Sequence, residues 1–344
     1  MVAVPTMLSV IATGMVAGIR GYVASSTPLP PDPVGEYDFP DPAAVYFKNT
    51  FYAYGGSMTM ASLGNLASWG ERKNYLAHAP NWATRGARGG APSPPVRLDS
   101  GEWVIFYQAN PRVGCEGGSP CGCIGSAHAS SPAGPFTPGE QPVICMPTER
   151  GLVDGSARRL ALTSGGQPQT VLYFKSTGFN TLARPARLWV VVLNDRGTQP
   201  SKIHGGPINL LNQTASWEAR GGRGCIEAPA LYHDAAKQTW TLFYSGGDWT
   251  AGIGPGQTPY SIGYAKCASP LGPCTKHTVN RPWFGPAYND SVGVGGQEVL
   301  TDADGVPWLV FHSWKRGHAG YGNGGRRAVS FYPLAMIEAI AGPL

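Results

Sequence analysis

The stretch Ala228–Gly247 reads APALYHDAAKQTWTLFYSGG and predicts a β-hairpin. Apolar and aromatic residues fill both halves, and Asp234-Ala235 supplies the turn residues between them. Four further stretches follow the same plan of strand, turn and aromatic strand, at residues 44–57, 94–109, 157–176 and 297–314. Each hairpin is followed by residues suited to another strand pair, as in Ser261–Val279.

These hairpins begin roughly 50 to 70 residues apart, the period of a repeat built from small sheets. A four-stranded sheet at that period is one blade of a β-propeller, and five blades can close a ring. We therefore predict an all-β chain with a five-bladed β-propeller fold. An irregular β-sandwich is the alternative, and the one good helix candidate is Pro333–Ala341.

Composition agrees with many short strands joined by turns. The 344 residues include 48 Gly and 32 Pro, only 14% are charged and 42% are hydrophobic. The net charge of +5 comes without a stripe of Lys and Arg, so we expect no nucleic-acid partner. We also predict no membrane span, because the apolar stretch at 7–19 is too short, and the sequence leaves the oligomeric state open.

We interpret residues 1–33 as a signal-like segment and a Pro-rich linker, and residues 34–344 as the propeller catalytic domain. Cys267 and Cys274 flank a turn-rich loop that a disulfide would close, and Cys115 could pair with Cys121 or Cys123. Disulfides fit an exported protein, so we predict an extracellular location. The seven cysteines are an odd number, which leaves one thiol over.

Three acidic residues occupy equivalent positions at the starts of predicted blades: Asp41 before the first, Asp154 before the third and Glu227 before the fourth. The first strand of a blade lines the central channel, so we expect these side chains to meet at one mouth of the ring. Glycosidic cleavage needs one protonated carboxylic acid to donate to the leaving oxygen and one carboxylate to activate water or attack carbon. The acids therefore predict a carbohydrate substrate and hydrolytic chemistry.

At these residues the chain resembles glycoside hydrolase family 43, the five-bladed arabinanase and xylosidase type of enzyme. The matching pieces are FPDP at 39–42, LVDG at 152–155, IEAPALY at 226–232, GYAKCASPLGPC at 263–274 and GVGGQEVLTDADGVPWLVFHSW at 293–314. The resemblance implies Asp41 as general base, Glu227 as general acid and Asp154 as the residue that tunes and orients the acid. It also implies inversion at the anomeric carbon, with base and acid carboxyls about 6.5–9.5 Å apart.

The resemblance has two departures. The family often has Gly-His in its last blade, where the His is associated with an axial metal or water cluster, and this chain has Gly296-Gln297. We therefore predict no metal site and no required cofactor, and a structural calcium is disfavoured. The family's Trp-Ala-Pro in the second blade is here Gly90-Ala91-Pro92. The aromatic wall of the sugar pocket is therefore either missing or supplied by another residue, for which our candidate is Trp82.

Further sugar-binding candidates are aromatic or axial polar residues. Phe39 stands next to the expected base, Trp249 lies in a Gly-rich loop, and Gln297 and His312 belong to the last blade. The leading hypothesis is an inverting hydrolase of arabinose-containing glycans, of the α-L-arabinofuranosidase or arabinanase type. The alternatives are a β-xylosidase or galactanase of the same family, a propeller that only binds carbohydrate, and a retaining fructan-type hydrolase.

Overall fold

The computed structural model describes residues 27, 29, 32–34, 37–84, 89–112, 121–178, 185–222, 224–250 and 257–344. These residues form five antiparallel sheets of four strands each, which confirms the predicted five-bladed β-propeller. The bounds are as follows. The first blade has β1 Ala43–Phe47, β2 Thr50–Gly55, β3 Met58–Leu63 and β4 Lys73–Asn74, and the second has β5 Val96–Arg97, β6 Trp103–Ala109, β7 Cys123–Ala129 and β8 Thr137–Pro138.

The remaining three blades are larger. The third has β9 Leu152–Ala161, β10 Pro168–Ser176, β11 Arg187–Val192 and β12 Ile208–Asn212, and the fourth has β13 Cys225–Asp234, β14 Thr239–Gly247, β15 Ser261–Cys267 and β16 Cys274–Lys276. The fifth has β17 Ala287–Tyr288, β18 Ser291–Thr301, β19 Pro307–Lys315 and β20 Ala328–Pro333. A helix, α1, spans Leu334–Ala341 and agrees with the predicted helix.

Each predicted hairpin turn lies between two paired strands. In the first blade, Lys48 and Asn49 both have positive φ, 48° and 61°, and Phe47 pairs with Thr50. Two such residues form the tight turn whose twist matches that of paired strands. Local turn chemistry and the apolar pattern therefore fix these hairpins together.

The hydrophobic core lies between blades. Five clusters of buried side chains each join two neighbouring blades, including the pair formed by the last blade and the first. In that closing cluster, Phe51 of β2 and Trp308 of β19 are both fully buried. Burial at all five interfaces closes the ring.

The chain before β1 also contributes to ring closure. The N–H of Val34 donates to the carbonyl of Val329 at 2.8 Å, and the N–H of Phe39 donates to that of Arg327 at 2.8 Å. Val34 therefore lies beside β20 and Phe39 beside the residue that precedes β20, so the two ends of the propeller sequence meet in one blade. The predicted division at residue 33 stays a prediction, and most of residues 1–33 lie outside the described ranges.

Each blade carries a residue with left-handed backbone in its inner strand or just before it, followed by a residue that lines the axis. The left-handed residues are Asp41, Ala91, Asp154, Ala228 and Gly296, with φ between 41° and 59°. In the last three blades the pairing register shifts at this place, which marks a β-bulge. A bulge re-aims a side chain out of the regular alternation of a strand, so in these three blades the residues at the bulge depart from the strand pattern.

The cysteines divide into bridges and one buried thiol. Cys267–Cys274 closes its loop as predicted, and a second bridge joins Cys123 to Cys145. The proposed pairing of Cys115 with Cys123 is therefore wrong, while Cys115 itself lies outside the described residues. Cys121 is also disulfide-bonded, and among the described cysteines the free thiol is Cys225.

In the described ranges, no helix has the length and apolar character needed to cross a membrane. The apolar stretch at residues 7–19, which we interpreted as signal-like, lies outside those ranges.

Candidate active site

A small cavity of about 30 Å³ lies where the five inner strands meet. Every blade lines it with its left-handed residue and the residue that follows, namely Asp41-Pro42, Ala91-Pro92, Asp154-Gly155, Ala228-Pro229 and Gly296-Gln297. One water molecule needs about 10–15 Å³, so the cavity has room for about two beside the carboxyl groups of Asp41, Asp154 and Glu298. The repeat of the fold thus builds a polar pocket on the axis.

The three predicted acids do not hold the same position of the repeat. Asp41 and Asp154 are themselves the left-handed residues of their blades, whereas Glu227 precedes the left-handed Ala228. Our expectation of three equivalent positions was therefore wrong for Glu227. The one-residue offset places its side chain on the other side of the inner strand, toward the interface with the third blade, where it meets a lysine.

Glu227 is buried and held by three groups. Its Oε2 accepts a hydrogen bond from Nζ of Lys175 at 2.7 Å, and its Oε1 accepts one from the hydroxyl of Tyr260 at 2.6 Å. Burial alone would raise the pKa of Glu227, but the charge and hydrogen bond of Lys175 and the bond from Tyr260, with a smaller contribution from Cys225, outweigh it and lower that pKa. The free protein therefore favours an ionised Glu227.

Asp154 has a different environment. Its Oδ2 accepts a hydrogen bond from the N–H of Ala228 at 3.1 Å, which ties the third blade to the fourth next to Glu227. Burial, followed by the charges of Glu227 and Asp41, raises the pKa of Asp154 to about 8. Burial beside two other acids therefore disfavours the charged form of Asp154.

Asp41 lies at the cavity, with 31% of its side chain exposed. Nη1 of Arg327 lies 3.2 Å from its Oδ1 and 3.4 Å from its Oδ2. Burial and the charge of Glu227 raise the pKa of Asp41, while Arg327 and Lys175 lower it. Asp41 thus pairs with Arg327, as Glu227 pairs with Lys175. Burial is the main cause of the rise in the pKa of Asp41.

A chain of contacts connects Glu227 to Asp41. The ring of Tyr260, which donates to Glu227, stacks on His312 with centroids 5.9 Å apart. Nδ1 of His312 in turn accepts a hydrogen bond from the backbone N–H of Asp41 at 3.0 Å. Burial and the nearby Arg327 lower the pKa of His312 well below its usual value, so the ring is neutral with its proton on Nε2.

Trp249 lies beside this arrangement. The guanidinium of Arg327 stacks over its ring at 4.6 Å, and its ring is parallel to that of Trp314 at 6.5 Å. Tyr321 is 47% exposed, and its hydroxyl accepts a hydrogen bond from Nε of Arg327 at 3.0 Å. Trp249 therefore contacts the residue that pairs with Asp41, as a sugar-binding candidate should.

The other sugar-binding candidates have different surroundings. Phe39 is fully buried and packs against Gly55 in the core between the first and last blades, so no face of its ring is open to a sugar. Residues two apart share a face of a regular strand, but the left-handed backbone of Asp41 interrupts that alternation, so Phe39 and Asp41 need not point the same way. Trp82 stacks on Tyr107 within the second blade, with centroids 6.2 Å apart.

Gln297 lines the cavity but has both ends of its amide engaged. Oε1 accepts from the hydroxyl of Ser245 at 2.7 Å, and Nε2 donates to the carbonyl of Ala228 at 2.7 Å. It therefore braces the last two blades across the axis.

The sequence matches the model of glycosyl hydrolases family 43 over residues 30–330. This chain belongs to that family. It is accordingly a glycoside hydrolase, and the resemblance noted from its motifs is confirmed. No curated protein sequence matches the chain at a significant level.

Solved structures share the fold of this family-43 member. A thermostable family-43 glycoside hydrolase is 21% identical, with a TM-score of 0.68 over 88% of this chain and 91% of that one. An endo-1,4-β-xylanase from Bacteroides thetaiotaomicron is 22% identical, with a TM-score of 0.62 over 86% and 90%. An α-L-arabinofuranosidase from Lactobacillus brevis is 15% identical, with a TM-score of 0.66 over 88% and 93%.

The residues of this family-43 enzyme do not fit an axial calcium at Gln297. That amide oxygen already accepts a hydrogen bond from Ser245, and Ca²⁺ requires six to eight oxygen ligands. Across the described ranges, no group of three or more His, Cys, Asp or Glu side chains is arranged to hold a metal. The departure from the family's Gly-His thus replaces a possible ligand with a brace between blades.

Sequence reasoning missed the partners of the acids, which are Lys175, Tyr260 and Arg327. One signal for Lys175 was present, since a lysine interrupts the apolar run VLYFKS of the third blade. A signal for aligning the blades was also present, namely the proline that follows Asp41, Ala91 and Ala228. Aligning blades on that proline would have placed Ala228, and not Glu227, level with Asp41.

Proposed function

We propose that this enzyme hydrolyses glycosidic bonds of arabinose-containing glycans with inversion, using Asp41 as general base and Glu227 as general acid. The proposal is supported by one arrangement above all. Asp41 and Asp154 line a cavity large enough for a water molecule, and Glu227 lies beside them on the neighbouring strand. A carboxylate, a water site and a proton donor are the three parts that inverting hydrolysis requires.

In this mechanism Asp41 takes a proton from water as the oxygen attacks the anomeric carbon. Arg327 opposes the rise that burial causes in the pKa of Asp41, which favours the carboxylate form that a base requires. Glu227 gives a proton to the departing oxygen, and Tyr260 and Lys175 orient its carboxyl group. Asp154 tunes the pKa of Glu227 and orients it through the neighbouring N–H of Ala228. Trp249 is our candidate for contact with the sugar near Arg327.

Arabinose as the substrate class rests on the family motifs and on the fold shared with the Lactobacillus brevis α-L-arabinofuranosidase. A xylan-type substrate is the second candidate, because the endo-1,4-β-xylanase has the higher sequence identity, 22%. The bridges Cys123–Cys145 and Cys267–Cys274 support our proposal that the enzyme is exported.

The test is hydrolysis of a panel of aryl furanosides, xylosides and galactosides, with arabinan, arabinoxylan and a fructan beside them. Proton NMR of the fresh product then reports its anomeric form. We expect release of arabinose with inverted configuration and loss of activity in Asp41→Asn. Retention of configuration would contradict the inverting mechanism, and binding without hydrolysis by the wild type would favour a propeller that only binds carbohydrate.

A further inference from the structure

Two exposed tyrosines flank one acidic residue at the rim of the site. Of the aromatic side chains that the structure describes, Tyr321 at 47% and Tyr37 at 38% have the largest exposed fractions. The hydroxyl of Tyr321 donates to Oδ2 of Asp38 at 3.2 Å, and Tyr37 directly precedes Asp38 in the chain. The two rings come from opposite ends of the propeller sequence, yet they share this one neighbour. Single exposed apolar residues need no explanation, but exposed apolar surface that gathers in one place indicates binding.

A continuous series of contacts joins these rings to the candidate base. Nη1 of Arg327 lies 3.2 Å from Oδ1 of Asp41, and Nε of the same guanidinium donates to the hydroxyl of Tyr321 at 3.0 Å. The backbone N–H of Arg327 donates to Oδ1 of Asp38 at 2.9 Å. The two tyrosines therefore adjoin the cavity on the side of the base.

Each tyrosine ring is backed by an arginine. The guanidinium of Arg327 lies over the ring of Tyr321, 5.5 Å from its centroid, and that of Arg72 lies over the ring of Tyr37 at 4.6 Å. Nη1 of Arg72 also donates to the carbonyl of Asp38 at 3.4 Å. A cation over one face of a ring attracts it and holds it in place. The exposed area of each tyrosine therefore belongs to the remaining face and the edges of its ring.

Further contacts fix Tyr321 in a loop that is rich in glycine. Gly320, which precedes it, has a φ of 95°, a backbone conformation that favours glycine. The rings of Trp314 and Trp249 meet that of Tyr321 nearly edge-on, with centroids 5.0 and 6.3 Å away. Trp249 is half-buried, and we call the surface formed by Tyr37, Tyr321 and Trp249 the aromatic platform. Because its rings are held before any ligand binds, binding costs little conformational entropy.

The size of the axial cavity makes a surface of this kind necessary. The cavity of about 30 Å³ holds water only, so the sugar units of a substrate have to lie at its mouth and beyond. A sugar ring has an apolar C–H face and hydroxyl groups at its edge. The platform offers partners for both, because aromatic faces stand beside the carboxylate of Asp38 and the guanidinium of Arg72.

We propose that the aromatic platform binds additional units of the substrate glycan, so that the enzyme acts on oligosaccharide chains in preference to a single sugar joined to a small group. The inference rests on the proposed function of the site at Asp41. Trp249 lies nearest the cation of the base, Tyr321 follows, and Tyr37 lies at the far end of the series of contacts. Longer substrates therefore reach more of the platform.

The first test compares substrates of different length. Tyr37 is the residue to change, because its ring is backed by Arg72 and its removal leaves the pair of Arg327 with Asp41 in place. We measure kcat/KM on nitrophenyl monosaccharides, arabinohexaose and xylohexaose. On the hexasaccharide that the wild type cleaves, Tyr37→Ala should lose about tenfold more than on the nitrophenyl substrate, the scale of one lost aromatic contact.

Two further variants control this comparison. Tyr37→Phe retains the ring and should keep the wild-type ratio between long and short substrates. Ile203→Ala removes an apolar side chain that is 88% exposed between the outer strands of the third blade, and it should also keep that ratio. Losses of equal size on both substrate classes in Tyr37→Ala would overturn the inference.

The second test measures binding and needs no turnover. In the Glu227→Gln background, isothermal titration calorimetry gives the Kd of arabinohexaose and of xylohexaose, with and without Tyr37→Ala. We expect the Kd of the hexasaccharide that binds to rise about tenfold in the double variant. An unchanged Kd, or no binding of either hexasaccharide, would overturn the inference. Absence of any glycosidase activity in the wild type would instead count against the proposed function, since the platform is tested here without hydrolysis.

Discussion

The backbone N–H of Asp41 donates a hydrogen bond to Nδ1 of His312, 3.0 Å away in the last blade. The proposed base is thus fixed by a ring from the opposite end of the propeller sequence, 271 residues later. His312 is fully buried, and it is held from one side by the stacked ring of Tyr260. Closure of the ring and placement of the base therefore depend on the same contact.

Replacement of His312 by Phe should weaken both stability and activity. Phe fills the volume but accepts no hydrogen bond, so the N–H of Asp41 loses its partner, at a cost of about 1–3 kcal/mol. We expect the free energy of unfolding to fall by that amount and kcat/KM to fall at least tenfold, measured by denaturant titration and initial rates. His128→Phe in the second blade is the control. Wild-type kcat/KM in His312→Phe would contradict the role of this bond.

The sequence predicted the fold well because every blade repeats its own local signals. Turn residues such as Lys48-Asn49 and apolar strands recur in each hairpin, and neighbouring strands pair in sequence order. The left-handed position was harder to predict, since Ala91 and Ala228 carry no turn signature. The left-handed position depends on the β-bulges, and these are visible only in the register of the paired strands.

The site was less predictable because its contacts are distant in sequence. Lys175 and Glu227 are 52 residues apart, Tyr260 and Glu227 are 33 apart, and Arg327 and Asp41 are 286 apart. Acidic residues beside prolines could be recognised one by one, but the cations that set their charge could not. Phe39 failed as a sugar-binding candidate because nearness in sequence to Asp41 does not decide which way a side chain points.

The thiol of Cys225 should resist alkylation in the folded enzyme. Burial, followed by the charge of Glu227, raises the pKa of this thiol, and only a thiolate reacts rapidly. With iodoacetamide at pH 8, we expect mass spectrometry to find the peptide containing Cys225 unmodified in the native protein and modified after denaturation. Equal labelling rates in the two states would show that the fourth blade opens readily.

Asp154 should make the enzyme less stable as the pH rises. Its pKa is about 8 in the folded protein, above the usual 3.8, so between these values the folded state keeps a proton that the unfolded state has lost. Stabilisation from this group is complete below the unfolded pKa and is lost as the pH rises toward 8. Asp154→Asn removes this dependence. As the pH rises, the free energy of unfolding of the variant should therefore increase relative to that of the wild type, by about 1 kcal/mol per pH unit.

The measurement is urea denaturation of both proteins at pH 5, 6, 7 and 8. Asp234→Asn is the control, because the pKa of Asp234 is lowered and both states are ionised across this range. Its difference from the wild type should stay constant with pH. A constant difference for Asp154→Asn as well would mean that Asp154 is ionised in the folded protein.

Loss of Arg327 should move the acidic limb of the pH profile upward. Burial raises the pKa of Asp41 and Arg327 opposes it, so Arg327→Met should raise that pKa further. An opposite charge at this distance shifts a carboxyl pKa by about 1–3 units. We therefore expect the midpoint of the acidic limb of kcat/KM to lie at least one pH unit higher in the variant. Trp249→Leu should shift the limb less in the same direction, because the ring only holds the guanidinium in place.

Arg316→Met is the matched control for that experiment, since Arg316 directly follows β19 and its guanidinium donates to the carbonyl of Asn289 at 2.7 Å on the surface. Its profile should coincide with that of the wild type. An unchanged acidic limb in Arg327→Met would mean that another group holds Asp41 ionised.

Replacement of Glu227 by Gln should affect substrates according to how much their leaving group needs a proton. A glycan oxygen departs poorly as an anion, and general acid catalysis contributes about 10²–10⁴-fold in such cases. A nitrophenolate departs without protonation. We therefore expect kcat/KM of Glu227→Gln to fall by about that factor on oligosaccharides and by less than tenfold on nitrophenyl glycosides. Glu218 is a buried acid of the same blade region. Glu218→Gln should lower stability without a difference between the two substrate classes in kcat/KM. Equal losses on both substrates would contradict Glu227 as proton donor.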